Sequence, residues 1–388
     1  MLNSSPRSAM ILSLRNPVNF DLMEFAENKK NNCAIFMIPL GVTIPEGISH
    51  GVSVSLPTWA SNIGYEEGEP FVVKAMQGGY PRFVFHRYIK QLASYCLDRF
   101  ANSSEACLLL NSNATCCECR EYLHRTSVGS SARVSELYIQ NEDQCCVVYM
   151  IFFPVIFEDI AKQFWQHTGT GISSRYAEHC LRSLGLIIFA QKPDRRYKVT
   201  SKYQSASIEP EQKEFEVHLE ERFGRNLDKK MTDYAIRVIK RRIAGTLGDT
   251  PNDLSLESLS LDKSPGAEEI DERHVYLFPS GMSAIYFAHK MTIDLRKNLK
   301  SVQFGFPYID TLKMQQRFGS GCYFFGNGDI RDLKSLELLL LTEKISSVFC
   351  EFPSNPLLKS PDLEYLWNLA KKHGFFLIVD ETGKFIVN

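Results

Sequence analysis

The chain has 388 residues, 44% hydrophobic and 23% charged, with a formal net charge of −1. Such a length supplies two or three domains with ample apolar side chain for a core. The balanced charge excludes recognition of nucleic acid or an anionic membrane through an overall basic excess, and leaves a small-molecule enzyme or a protein-binding module.

The N-terminal segment before Asp21 carries Arg7, Arg15, several serines and no acid, but Pro6 and Pro17 break any amphipathic targeting helix. Met1–Ala9 lack the apolar run of a secretory signal, so the eleven cysteines are expected as reduced thiols in the cytoplasm. A first zone, residues 1–193, mixes short apolar runs and helical patterns between glycines and prolines, which predicts an α/β or α+β region. Within it Cys116-Cys117-x-Cys119 and His124 lack the second pair that zinc sites use, so no metal is expected. The most apolar run, Val147 to Phe157, is shorter than the roughly 20 residues a bilayer requires and is expected as a buried strand ended at Pro154, with no membrane span. His167 and His179 are taken as ordinary polar residues.

A second zone, 194–273, holds a polar linker (Ser201–Gln212) and a helix with Tyr234, Ile236, Val238, Ile239 and Ile243 as apolar positions. It ends in a Ser-, Asp- and Pro-rich insertion from Gly245 to Glu272. The third zone, 274–388, is the most regular. Strands are predicted at His274–Phe278, Ser301–Phe306, Cys322–Phe325, Ile345–Glu351 and Phe375–Asp380. Helices are predicted at Ser280–Met291, Tyr308–Phe318, Ile330–Glu343 and Pro361–His373, with Asp329 as an N-cap and Gly374 as a helix stop. This alternation predicts a parallel sheet covered on both faces.

Ligands of open parallel sheets sit beyond the carboxyl ends of the strands, so the polar residues there are the candidates. Pro279-Ser280-Gly281-Met282 opens a helix with small residues, a place for a phosphate on free N–H groups. Tyr308 can stack on a planar ligand. In Glu351-Phe352-Pro353-Ser354-Asn355-Pro356, two prolines stiffen a loop in which Asn355 offers an amide. Asp380 follows four apolar residues and needs a cationic partner, either a magnesium ion or a protonated ring nitrogen. No Walker A loop lies upstream, which argues against an ATPase.

These four elements, in this order, resemble the Cys/Met-metabolism family of pyridoxal 5′-phosphate (PLP) enzymes, which includes cystathionine γ-synthase and the cystathionine lyases. The likeness is nearest to its fungal cystathionine γ-synthase-like members. His50–Trp59, Gly64–Glu69, Gly79-Tyr80-Pro81-Arg82-Phe83 and Phe164-Trp165-Gln166-His167-Thr168-Gly169 resemble their N-terminal region.

The resemblance implies the PLP-dependent transferase type I fold, here with an incomplete large-domain sheet. It implies the backbone of Ser280, Gly281 and Met282 on the phosphate, and Tyr308 stacked on the ring as the catalytic proton shuttle. Asn355 would hold the ring hydroxyl oxygen, and Asp380 the ring nitrogen. The family's Tyr-x-Arg arm, which reaches the phosphate from a neighbouring subunit, matches Phe223-Gly224-Arg225; Arg225 keeps the charge and Phe223 lacks the hydroxyl. Tyr80-Pro81-Arg82 has the same spacing, lies far earlier and ranks second.

A small amino-acid substrate, trans-sulfuration by γ-replacement in methionine biosynthesis and a homo-oligomer are implied. The cofactor-bearing lysine expected in a Ser-x-Thr-Lys segment is not met before Asn388, and Lys384 lies too close to Asp380. The chain is thus expected to be a truncated, inactive copy, or else a non-catalytic relative that binds PLP weakly or pairs with a full-length homologue.

Overall fold

A computed structural model describes residues 38–44, 48–127, 131–141, 144–187, 232–245 and 270–383. The N-terminal part opens with α1 (Trp59–Glu67), α2 (Pro70–Ala75) and α3 (Arg87–Phe100), followed by β1 (Glu105–Leu110) and α4 (Asn113–Thr126). Then come β2 (Arg133–Asn141), β3 (Gln144–Pro154), α5 (Glu158–Thr168) and α6 (Ser174–Ser183). The three strands form an antiparallel sheet in the order β1-β3-β2. The apolar run from Val147 is its central strand. Met150, Ile151 and Phe152 are fully buried there, because helices cover both faces of the sheet: α4 and α5 pack on the side of Ile151, and α3 and α6 on the side of Met150 and Phe152. The region is therefore α+β.

An isolated helix α7 (Thr232–Ile243) follows; Arg237 and Arg241 of its flank reach Glu272 at 3.8 and 3.7 Å. The linker at Ser201–Gln212, Arg225 with its neighbours, most of the insertion after Gly245, and Lys384 lie outside the described residues.

The last part runs α8 (Gly281–Leu295), β4 (Lys300–Phe304), α9 (Ile309–Arg317), β5 (Cys322–Phe325), α10 (Ile330–Thr342), β6 (Ile345–Glu351), α11 (Leu363–His373) and β7 (Phe376–Asp380). All strand pairs in its sheet are parallel, in the order β5-β4-β6-β7. Side chains start and stop the helices. Ser280 accepts from the Ser283 N–H, Asp329 from Arg331 and Asp332, and Asp362 from Tyr365. Gly374 closes α11 at φ +75°. β6 is buried along its whole length, and Ser346 within it satisfies its hydroxyl on the Lys300 carbonyl at 3.2 Å.

One expected strand is absent. In the segment expected as the strand His274–Phe278, His274 ends a short 3-10 turn and Val275–Phe278 pairs with no neighbour among the described residues; Val275 is buried and Tyr276 is 75% exposed. Its apolar character suggested a strand, but no adjacent backbone supplies a ladder. The helix expected from Pro361 begins at Leu363, because the carboxylate of Asp362 takes the capping position.

The N-terminal and C-terminal parts share one core. Leu108, Leu110, Leu123, Phe153 and Phe164 pack in the same cluster as Met282, Tyr286, Met314 and Phe318. Phe318 stacks on Tyr122 with ring centroids 5.0 Å apart and meets Tyr286 edge-on at 5.4 Å. Among the described residues no helix is long and apolar enough to cross a membrane.

Two predictions follow from this packing. Phe164→Ala empties a fully buried ring from the shared core and should cost about 3–5 kcal/mol in denaturant unfolding, with both parts melting together. Burial holds His86, His167 and His289 at about 4. Unfolded histidines take up a proton near 6.5, so between those values the unfolded state binds more protons than the folded one. Stability should therefore be full above pH 6.5 and fall as pH drops towards 4, by at most about 1.4 kcal/mol per pH unit for each histidine. Urea midpoints measured across this window check the slope.

Candidate cofactor site

The carboxyl ends of β4, β6 and β7 gather Tyr308, Asn355 and Asp380, and Glu351 ties them together. It is the last residue of β6 and 9% exposed. One carboxylate oxygen accepts the backbone N–H of Tyr308, in the turn after β4. The other accepts the N–H of Asn355 at 3.3 Å, in the turn after β6. In the sheet register Glu351 stands opposite Asp380, and the Phe352 N–H bonds the Asp380 carbonyl at 2.9 Å. Burial pushes the Glu351 carboxyl up, the two N–H groups oppose that shift, and the charge of Asp380 adds to it.

Asp380 differs from its neighbour. One of its oxygens is held by the N–H and hydroxyl of Thr382, at 2.9 and 2.6 Å. The other has no hydrogen-bond partner among the described residues, and the side chain is partly exposed. Asn355 also has its side chain exposed, between the cis Phe352-Pro353 and Asn355-Pro356 bonds. Tyr308 caps α9 and is 39% exposed, so its ring is available to a ligand.

At the start of α8, helix geometry leaves the N–H groups of Gly281 and Met282 without intrahelical acceptors. A Cβ built on Gly281 would meet nothing within 4 Å, so there is open space in front of the turn. The hydroxyl of Ser280 caps the Ser283 N–H at 3.1 Å and also lies 3.4 Å from the Gly169 carbonyl; it is engaged inward, so any anion contact of this turn falls to the backbone. The donor set fits a phosphorylated, cationic, planar ring: free N–H groups and a helix dipole for the anion, an exposed aromatic face, an amide, and an unpaired carboxylate oxygen.

The structure adds residues that sequence reasoning did not single out. Asp310, 2% exposed in the first turn of α9, accepts from Arg82 at 3.2 Å, from Gln166 at 3.4 Å and from the Tyr308 hydroxyl at 3.4 Å. His167 Nε2 faces it at 3.7 Å, and Arg317 lies 3.4 Å from His167 Nδ1. Desolvation keeps His167 neutral, so its bare Nδ1 accepts from Arg317 and its Nε2–H points to Asp310. Arg82 stands on the Tyr308 hydroxyl, not at the Ser280 turn. The signal for Glu351 was present, as a carboxylate directly after the apolar run Val348-Phe349-Cys350; that for Asp310 was an acid two residues after the tyrosine. Cys116 and Cys119 are buried in the apolar core, and Cys117 donates to Asn113 at 3.4 Å. No group of three or more His, Cys, Asp or Glu side chains is placed to hold a metal ion among the described residues.

Comparison with known proteins agrees with this geometry. Residues 88–173 match a family described as fungal trans-sulfuration enzyme, N-terminal domain, and residues 268–385 match Cys/Met metabolism PLP-dependent enzyme. The chain is 37% identical over 402 residues to the cystathionine gamma-synthase of Neurospora crassa, covering 88% of this chain and 65% of that protein. It is 36% identical over 391 residues to the cystathionine gamma-synthase-like enzyme iboG2 of Amanita muscaria, covering 90% and 61%. The cystathionine gamma-synthase of Saccharomyces cerevisiae is 30% identical over 429 residues, covering 90% and 66%. The chain thus spans less than two thirds of the length of these relatives. No solved structure matches it.

Glu351→Ala should leave two backbone N–H groups without their acceptor. At about 1.5–3 kcal/mol for each hydrogen bond to a carboxylate, the loss in urea unfolding should be at most about 3–6 kcal/mol. Glu351→Gln keeps one acceptor oxygen and should cost less; equal losses in the two variants would contradict the clasp.

Proposed function

The chain belongs to the Cys/Met-metabolism family of PLP-dependent enzymes, and from that premise we propose that its C-terminal part binds pyridoxal 5′-phosphate for trans-sulfuration. The observation that supports this most is the Glu351 clasp. It holds Tyr308 and Asn355 beside Asp380 at the carboxyl ends of adjacent parallel strands. When bound, the cofactor supplies an electron sink for the substrate's α-carbon, and the protein supplies position and electrostatics.

In this reading the N–H groups of Gly281 and Met282 bind the phosphate, with Ser280 shaping the turn. Arg225, outside the described residues, adds a cation from a neighbouring subunit of a homo-oligomer. The Tyr308 ring stacks on the pyridine, and its hydroxyl carries a proton between the amino group and the α-carbon. Asn355 donates to the ring hydroxyl oxygen. The free oxygen of Asp380 keeps the ring nitrogen protonated, since an adjacent carboxylate favours the cation. For the whole protein the reaction is γ-replacement on an O-acylhomoserine. The cysteine sulfur loses its proton and forms a bond to Cγ, the Cγ–O bond to the acyloxy group breaks, and the acyl group leaves as a carboxylate as cystathionine forms. We divide the chain by role into an N-terminal family-specific region at 1–193, a linker and arm at 194–273 and the cofactor-binding part at 274–388.

Pyridoxamine 5′-phosphate has no aldehyde, so its binding reads the non-covalent contacts alone. Titration followed by its fluorescence should saturate. Asp380→Asn should weaken it by about tenfold to a hundredfold, the worth of a charge-assisted hydrogen bond. A dissociation constant unchanged by Asp380→Asn would contradict the pairing with the ring nitrogen. Mass spectrometry of a mixture of O-acetylhomoserine, cysteine and the whole protein with its cofactor-bearing lysine tests the reaction itself through the appearance of cystathionine.

A further inference from the structure

Two N-terminal motifs have no part in the reading above: Gly79-Tyr80-Pro81-Arg82-Phe83 and Phe164-Trp165-Gln166-His167-Thr168-Gly169. The structure brings both against the cofactor-binding part. Arg82 is 8% exposed, and its backbone sits at φ +77°, in the left-handed region that a side chain rarely occupies. Strain of this kind persists only where surrounding contacts hold it, and it collects at functional sites. The guanidinium engages three partners through its two terminal nitrogens. One nitrogen donates to the Gln166 carbonyl at 2.9 Å and to Asp310 at 3.2 Å. The other donates to the Tyr308 hydroxyl oxygen at 3.1 Å.

The second motif ends helix α5, whose last turn meets both halves of the cofactor site. Gln166 and His167 meet Arg82 and Asp310. The Gly169 carbonyl accepts the Ser283 hydroxyl at 2.6 Å, with Ser280 close by. The approach is tight enough to exclude a side chain: a Cβ on Gly169 would lie 2.4 Å from the Ser280 hydroxyl oxygen and 2.9 Å from the Ser283 nitrogen.

We propose that Arg82 is a positioning residue for Tyr308, supplied in cis by the N-terminal region, and that this region is thereby one wall of the cofactor site. Because Arg82 donates, the phenol oxygen accepts, and the phenol's own proton is directed to Asp310. Both polar directions of the hydroxyl are then fixed, and with them the tilt of the ring offered to the ligand. An arginine suits this role because its planar fork bonds three partners at once. The proposal rests on reading Tyr308 as the ring that faces the cofactor.

The test is a double-mutant cycle on pyridoxamine 5′-phosphate affinity, using the full chain, Arg82→Ala, Tyr308→Phe and the double variant. If Arg82 acts through the Tyr308 hydroxyl, Arg82→Ala weakens binding about tenfold in the otherwise native chain. In the Tyr308→Phe background it weakens binding by less than about twofold. The circular dichroism band of the bound ligand, which reports ring orientation, should change in Arg82→Ala and in Tyr308→Phe alike. An equal loss in both backgrounds, or no loss in either, would overturn positioning and leave Arg82 a structural partner of Asp310. Should Arg82→Ala fail to fold, the cycle is run with Arg82→Lys, which keeps a cation beside Asp310 but lacks the fork; the same comparison decides. Failure of the native chain to bind the ligand at all would instead overturn the cofactor reading of Tyr308, and the proposal with it.

Discussion

The buried carboxylate of Asp310 is the charge around which the two parts of the chain close. A carboxylate this far from water is tolerated only when its oxygens are satisfied, and the cost of leaving it bare exceeds that of most single packing defects. Most of its partners come from places remote in sequence, Arg82 in the loop after α2 and Gln166 and His167 at the end of α5, and one, Tyr308, lies two residues away. None of these groups gains much alone. Arg82 would be an unpaired buried cation without Asp310, and His167 stays neutral because burial outweighs the pull of that same carboxylate. The network therefore forms as a unit. It can form only after the apolar surfaces of α5, α8 and α9 have met in the shared core.

Much of the C-terminal part was legible because parallel sheets impose a simple grammar. Buried strands appear as short apolar runs, helices as amphipathic periods with caps, and ligand-binding residues fall where the runs end. β5 and β6 lie where the pattern places them, and Asp329 and Gly374 act as the predicted cap and stop. The error at Val275–Phe278 has the same root. Apolar, β-prone sequence states that a segment can pair, while pairing itself depends on a neighbour at the sheet edge. The N-terminal part was less legible because its contacts are non-local. The bonds of Arg82 to Asp310 and Tyr308 span more than two hundred residues, and no local period reports them. What sequence carried was the unusual local composition of the two N-terminal motifs, without their destination.

Two acids stand side by side at the ends of β6 and β7, and their environments send them to different tasks. Glu351 is buried and spends both oxygens on backbone N–H groups, so it works as a structural clasp whose value lies in fixing Tyr308 and Asn355. Asp380 is nearer to solvent, commits one oxygen to Thr382 and keeps the other uncommitted. Adjacent carboxylates repel, and the repulsion is relieved most cheaply by a cation at the more open of the two. The sheet register places Glu351 beside Asp380, and its charge adds to the preference for a cation that the proposed pairing with the ring nitrogen relies on.

The same logic explains why the stacking residue needs support from outside its own helix. Tyr308 precedes α9 and is anchored to β6 only through its backbone N–H, which leaves its side chain free to turn. A ring that must lie flat on a ligand and also direct a proton needs its hydroxyl held at both polar positions. The C-terminal part supplies the acceptor, Asp310. The donor is Arg82, and the scaffold that carries it is the N-terminal region. On this view that region is no appendage with a separate task. Its packing against α8 and α9 brings one strained arginine to the Tyr308 hydroxyl and one close-approaching glycine to the Ser280 turn, the two places where we propose that the ring and the phosphate of the cofactor are held.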